Sequence, residues 1–381
     1  MKKRVAVVHV GLEKTGSTAI QHWLKRHHQA LLDQGIVMPR TLGFPNHTRL
    51  VAACLDDGVV DNLKAHLLRR ESLSEPMLRC WVEASLAAEL RRVPDWHTLL
   101  ITSELISSRL SSPTEIARLL ALLRPHVDYI RFLLVLRRQD QLAVSRFSSI
   151  LRSGFNRYEA VLDDLSAFNF RKLPPGRSVS DALFFYDFEA IASRFASIPE
   201  SELLIRCYGE LQPTAMMADV LGLSLNALAD GAPRVNSAMS ADAQFVIARL
   251  NQEHVVQWPS GLRREAYRSL IRRIEREVQG APRLVTRAEA EEFLQPYLAG
   301  NGRLSERYGL GSQLYSGGFD RYPLELNDGD LEVRTRHQLM AYQVEARAMP
   351  LRESLAQRLN HRFRGLKHRL RLWREHPGVS P

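Results

Sequence analysis

Apolar positions divide the chain into two regimes. Up to about Gly222, short apolar runs alternate with stretches of helical periodicity; beyond it the pattern is helical. Val5–Val10 is a short, largely β-branched apolar run of the kind that forms a buried parallel strand. Gly11 and Gly16 interrupt it, and from Ser17 onward Ile20, Trp23, Leu24, His27 and Leu31 recur at helical spacing. Thr98–Thr102, Tyr129–Leu136 and Glu202–Tyr208 predict three further buried strands. Helical patterns at Val82–Arg92, Glu115–Arg124, Asp140–Arg152 and Phe188–Phe195 separate them. This alternation predicts an α/β fold with a doubly wound parallel sheet, in which ligands sit beyond the carboxyl ends of the strands. Later in the chain, Leu262, Ala266, Leu270, Ile274 and Val278 form an apolar stripe opposite Arg and Glu, which predicts a helix packed on the domain. Tyr315–Asp330, rich in Gly, Asp and Asn, predicts a loop. The expected organisation is a main domain over 1–316, a loop or linker over 317–350 and a basic amphipathic helix over 351–376.

Composition adds three limits. With 381 residues, 45% hydrophobic and 25% charged, the chain can build a core without disulfide staples. Cys54, Cys80 and Cys207 are too scattered for a disulfide framework or a zinc site, and are expected as buried small hydrophobes in a reducing compartment. The basic start Met1–Arg4 leads into only six apolar residues, and no run approaches the ~18 of a membrane span, so a cytoplasmic location is expected. The net charge is +10, but Leu351–His376 carries eight Arg/Lys against two Glu. The rest of the chain is only mildly basic, which argues against a nucleic-acid partner.

Between the first strand and the first helix lies Gly11-Leu12-Glu13-Lys14-Thr15-Gly16-Ser17-Thr18. Glycines let a backbone turn tightly enough for several N–H groups to face one concavity, and the following helix adds positive potential at its N-terminus. This is a phosphate-cradle arrangement. The nucleoside-triphosphate version carries its lysine directly after the second glycine. Here that position is Ser17, and the cation is Lys14, inside the loop. The shift puts the charge beside the departing phosphate of a shorter donor.

These residues resemble the phosphosulfate loop of the sulfotransferases that use PAPS (3′-phosphoadenosine-5′-phosphosulfate), particularly bacterial carbohydrate-type members. The resemblance implies that Lys14 contacts the bridging oxygen and that Thr15, Gly16, Ser17 and Thr18 bind the 5′-phosphosulfate. A second motif is similar too: Phe132-Leu133-Leu134-Val135-Leu136-Arg137, followed eight residues later by Ser145, implying that Arg137 and Ser145 hold the 3′-phosphate. A guanidinium fork and a hydroxyl suit a phosphomonoester. Weaker likenesses at Leu204–Leu211, Leu221–Leu223 and Asn301–Gly309 extend the resemblance over about residues 5–316. Arg146 departs from it, since many relatives carry a small or apolar residue there.

Two positions resemble family base sites: His47, after the first helix, and Glu104, at the end of the second of these strands. A histidine accepts a proton at neutral pH without tuning, whereas a glutamate needs burial to raise its pKa, which favours His47. The bland alternatives are a loop histidine bonded to backbone and a helix-capping glutamate. His9 is expected as a core histidine, and His27 and His28 as a mid-helix surface or packing pair. No metal is expected, because no cluster has ligand spacing.

Leu351, Leu355, Leu359, Phe363, Leu366, Leu370 and Trp373 form the apolar stripe of the basic tail. Such a helix docks on its own domain or lies on an anionic membrane surface. The expected activity is transfer of a sulfuryl group from PAPS to a hydroxyl acceptor of carbohydrate type. The rivals are a P-loop small-molecule kinase and a non-catalytic nucleotide-binding protein recruited to membrane by its tail.

Overall fold

The computed structural model describes residues 3–154, 171–172, 185–223, 239–254, 262–282, 284–312, 314, 317–326 and 329–349. The strands, in chain order, are β1 (Val5–Gly11), β2 (Ile36–Val37), β3 (Val60–Asp61), β4 (Thr98–Thr102), β5 (Tyr129–Leu136), β6 (Arg171–Lys172) and β7 (Ser201–Cys207). Five of them form one sheet in the order β2-β4-β1-β5-β7, with every neighbouring pair parallel. β3 and β6 make a separate antiparallel pair.

Both faces of the sheet are buried, which is why its central strands read as unbroken apolar runs. Val7, Leu100, Leu133 and Val135 point to one face, under Ile20, Trp23 and Leu24 of the Ser17–Arg26 helix and Met216 and Met217 of the Pro213–Val220 helix. Ala6, Val8, Leu99, Ile101, Phe132 and Leu134 point to the other, against helices Thr48–Cys54, Glu75–Arg91, Pro113–Leu123 and Phe188–Ala196. Each buried Leu, Ile or Phe contributes roughly 1.5–3 kcal/mol.

A second, helical core lies beside this sandwich. It joins Phe147 and Leu151 of the Gln139–Arg152 helix to Val246 and Leu250 of Ala241–His254, Leu270 and Ile274 of Leu262–Glu277, and Leu331 and Ala346 of Gly329–Ala348. The Gln139–Arg152 helix belongs to both cores, since Leu142 and Ala143 pack into the sheet core. It is the shared wall between the two.

The stretch 317–350 is not simply a linker. It holds the 20-residue Gly329–Ala348 helix, whose Leu331, Tyr342 and Ala346 are part of the helical core. The residues before it are also tied down. Arg138 donates to the Gly317 carbonyl, its guanidinium pairs with Asp140 at 2.7 and 2.8 Å, and the Tyr322 hydroxyl donates to Asp140 at 2.6 Å. The expected tail helix at 351–376 lies outside the described residues. Cys54 and Cys207 are buried as expected, but Cys80 is exposed. The first helix also differs from its pattern: it ends at Arg26, and His28–Asp33 is a second helix, so His27 and His28 sit at a break. Among the described residues, no helix is long and apolar enough to cross a membrane.

Candidate functional site

The carboxyl ends of β1, β4 and β5 converge, and each delivers one residue singled out by its position. After β1 the chain passes through Lys14 and Gly16, both with positive φ (64° and 92°), into the Ser17–Arg26 helix. Gly16 must be glycine: an added Cβ would meet Pro213 Cγ at 2.4 Å. Gly11 is equally constrained, its Cβ direction being occupied by Ser107 Oγ at 2.6 Å. The loop is therefore clamped between two helix starts.

Inside the loop, the Thr15 and Ser17 hydroxyls donate to the Leu12 carbonyl at 2.6 and 3.2 Å. Those two side chains shape the turn, and what they leave facing outward is backbone. The helix has no side-chain cap, and Ala19 is the first residue whose N–H bonds back, to the Gly16 carbonyl at 2.9 Å. Thr18 is exposed in the first turn. Uncapped N–H groups at a helix start form an anion-binding terminus.

Lys14 reaches the shared wall, donating from Nζ to Ser149 Oγ at 3.2 Å. Burial, with Arg152 and Arg137 nearby, lowers its pKa to about 8, against opposing pulls from Glu13 and Glu275. Arg137, just past β5, donates to the Lys14 carbonyl at 3.3 Å and lies over the Tyr208 ring at 4.9 Å. Its buried Nε has no partner among the described residues. Desolvation by burial lowers its pKa, and Arg321 acts in the same direction. Ser145 lies one turn before Ser149 on the wall helix, half-buried, and its hydroxyl has no partner among the described residues.

Glu104 follows β4 and is half-buried. Its Oε2 accepts from Gln21 Nε2 at 2.7 Å and its Oε1 from Asn46 Nδ2 at 3.2 Å. Burial raises its pKa and Glu13 raises it further, while its own backbone N–H and the two amide donors pull it back; the net shift is upward. An upward shift makes a carboxylate a stronger base than an ordinary one. Its side chain makes no helix-capping bond.

His47 is a different kind of residue from the one expected. The Ser103 N–H bonds to the His9 carbonyl of β1, so by alternation the Thr102 N–H points to the other edge of β4. On that edge β2 pairs only with Thr98 and Leu99. His47 fills the gap: its Nδ1 accepts from the Thr102 N–H at 2.9 Å and its Nε2–H donates to the Pro39 carbonyl at 3.0 Å. The residue is 0% exposed, and burial lowers its pKa to about 4. With both nitrogens held by backbone it is a structural plug, and the expected preference for His47 as a base has no support in its geometry. His9 is a core histidine as expected, bonded through Nδ1 to Thr102 Oγ1 at 2.9 Å.

The plug has a measurable consequence. His47→Ala strands a buried N–H and a buried carbonyl, each at about 1–3 kcal/mol, so urea denaturation should show a loss of several kcal/mol. The acid side should show the same residue. The folded pKa lies below the unfolded one, so stability contributed by the neutral ring declines as pH falls from about 6.5 toward about 4. A folded His47→Ala protein as stable as the parent would exclude this role.

Four residues here had no role assigned from sequence: Ser149 lies in no motif, Tyr208 lies in the weak Leu204–Leu211 likeness, Gln21 lies just past the loop, and Asn46 stands beside His47. Among the described residues no group of three His, Cys, Asp or Glu could hold a metal ion. Comparison with protein-family models, curated proteins and solved structures finds no match.

Proposed function

We propose that this chain is a PAPS-dependent sulfotransferase acting on a hydroxyl acceptor of carbohydrate type. The reading is carried by one observation: Lys14 and Arg137 are bonded together beside an uncapped helix start, while Glu104, a carboxylate with raised pKa, ends the adjacent strand. Cations and bare N–H groups suit an anionic donor; the carboxylate suits removal of a proton. On this reading the acceptor oxygen attacks sulfur, the sulfur–oxygen bond to the 5′-phosphate breaks, and adenosine 3′,5′-bisphosphate (PAP) leaves against Lys14. The acceptor's proton passes to Glu104. Tyr208, 41% exposed beside Arg137 and near Gly16, offers a ring face for a base.

The carbohydrate acceptor rests on the family resemblance. The setting proposed is cytoplasmic, with the 351–376 segment available to an anionic inner membrane surface.

Donor binding tests the reading without an acceptor. Calorimetry should show that PAP binds more tightly than ATP, and that EDTA leaves PAP binding intact. Arg137→Ala should weaken PAP at least tenfold, since charged hydrogen bonds contribute about 1.5–3 kcal/mol. Preference for ATP with Mg²⁺ would favour the kinase, and unchanged PAP affinity in Arg137→Ala would remove the second motif from the site.

A further inference from the structure

The carboxylate of Glu104 accepts from Gln21 and Asn46, neutral donors on two different elements, and from its own backbone N–H. We propose that Gln21 and Asn46 are positioning residues that fix both oxygens of Glu104 toward the β1 loop while leaving the carboxylate able to take a proton. The inference rests on the sulfotransferase reading for its catalytic meaning, but not for its geometry.

The geometry is specific. Gln21 lies one turn after Ser17 on the helix that opens at the loop, so the 2.7 Å bond ties the carboxylate to the loop's own helix. Asn46 gives the 3.2 Å bond to the other oxygen and is itself oriented, because Ser103 Oγ donates to its Oδ1 at 2.8 Å. Ser103 in turn bonds to β1 through the His9 carbonyl. Asn46 precedes His47, whose ring is pinned to Thr102 and Pro39. The histidine thus acts on the carboxylate through its neighbour, by fixing the backbone that carries Asn46.

Neutral donors are the chemically apt choice. An ionised carboxylate offers about four lone-pair sites; the two amides and the residue's own backbone N–H leave about one for an incoming hydroxyl. An arginine or lysine in their place would hold the group as firmly, but would lower its basicity by about 1–3 pKa units. An amide fixes direction at a smaller loss of basicity. Around the carboxylate, Glu13 faces it from the β1 loop, Gln21 from the helix and Asn46 from the 39–47 loop. Burial and Glu13 oppose ionisation of Glu104; its own backbone N–H and the two amides favour it.

Because the amides stabilise the charged form, their removal has a signed effect that lost packing does not share. The full-length protein is labelled with ¹³C at Glu carboxyls, and the Glu104 resonance is identified by its loss in Glu104→Gln. In Gln21→Met, which keeps side-chain length and removes the donor, the Glu104 titration midpoint should move to higher pH. Asn46→Leu should move it the same way. Release of radiolabelled sulfate from PAPS to water, as a minimal acceptor, should then fall about tenfold at a fixed acidic pH, with PAP affinity unchanged. If Gln21→Met does not fold, Asn46→Leu and the milder Gln21→Asn carry the test. A midpoint that stays put or falls in the folded variants would overturn the proposal. Failure of the wild-type protein to bind PAP would instead remove the sulfotransferase reading, and would leave the titration result standing.

Discussion

On the proposed sulfotransferase reading, replacing Lys14 with alanine should lower turnover by about 10²–10³-fold while changing PAP affinity far less. That is the usual loss when one preorganised donor to developing charge is removed. The expected split follows from where the side chain sits. Nζ is held against Ser149 on the shared wall helix, while Arg137 meets the same loop at the Lys14 carbonyl, through backbone that alanine retains. Ground-state grip would therefore persist in Arg137 and the helix start, and the transition-state contact would go. The pH profile supplies a second signature. Burial and two neighbouring guanidinium groups lower the Lys14 pKa to about 8, so in the free enzyme the cation is lost as pH rises through that value. kcat/KM, which reports free-enzyme ionisations, should fall on the basic side near pH 8. Lys14→Arg should carry activity further into base, because guanidinium stays protonated. Wild-type kcat in a folded Lys14→Ala protein would exclude the lysine from the reaction.

The parts of this architecture that the sequence made legible share a physical cause. Thr98–Thr102 and Tyr129–Leu136 fold over the predicted residues because strands buried on both faces read as near-continuous apolar runs, here Leu99–Ile101 and Phe132–Leu136. β2 was not legible, since two residues carry no periodicity. The Gly329–Ala348 helix was hidden by the reverse problem. Leu331, Tyr342 and Ala346 are buried on one side, but Val333, Met340 and Val344 are exposed on the other, so no single stripe stands out. The placement of Lys14, Arg137 and Glu104 beyond the carboxyl ends of β1, β5 and β4 was legible, because those strands are. His47 was misjudged for a reason rooted in topology. Its role follows from β2 stopping short of the Thr102 edge, and nothing local to Asn46-His47-Thr48 reports where a distant strand stops. Gln21 and Asn46 are of the same kind: their partner is fixed only when β4, the first helix and the 39–47 loop come together.

Glu104→Gln should be the other severe variant, with turnover down about 10²–10⁴-fold, the range a positioned general base contributes. The substitution keeps the shape of the side chain and removes its ability to accept a proton. It also disturbs the clamp in a defined way: at most one oxygen remains to accept, so either the Gln21 bond at 2.7 Å or the Asn46 bond at 3.2 Å loses its acceptor. Some stability loss is expected, about 1–3 kcal/mol for one buried donor left unpaired, and PAP affinity should be kept, because the proposed donor site is Arg137 and the loop. The acidic limb is the discriminating measurement. Wild-type turnover should fall as pH drops through the raised Glu104 pKa, since only the carboxylate can take the proton. In Glu104→Gln the residual rate should lose that limb. His47 cannot supply it, because its ring nitrogens are both bonded to backbone and burial holds its pKa near 4. A folded Glu104→Gln enzyme with the full rate and the same acidic limb would show that another group takes the acceptor's proton.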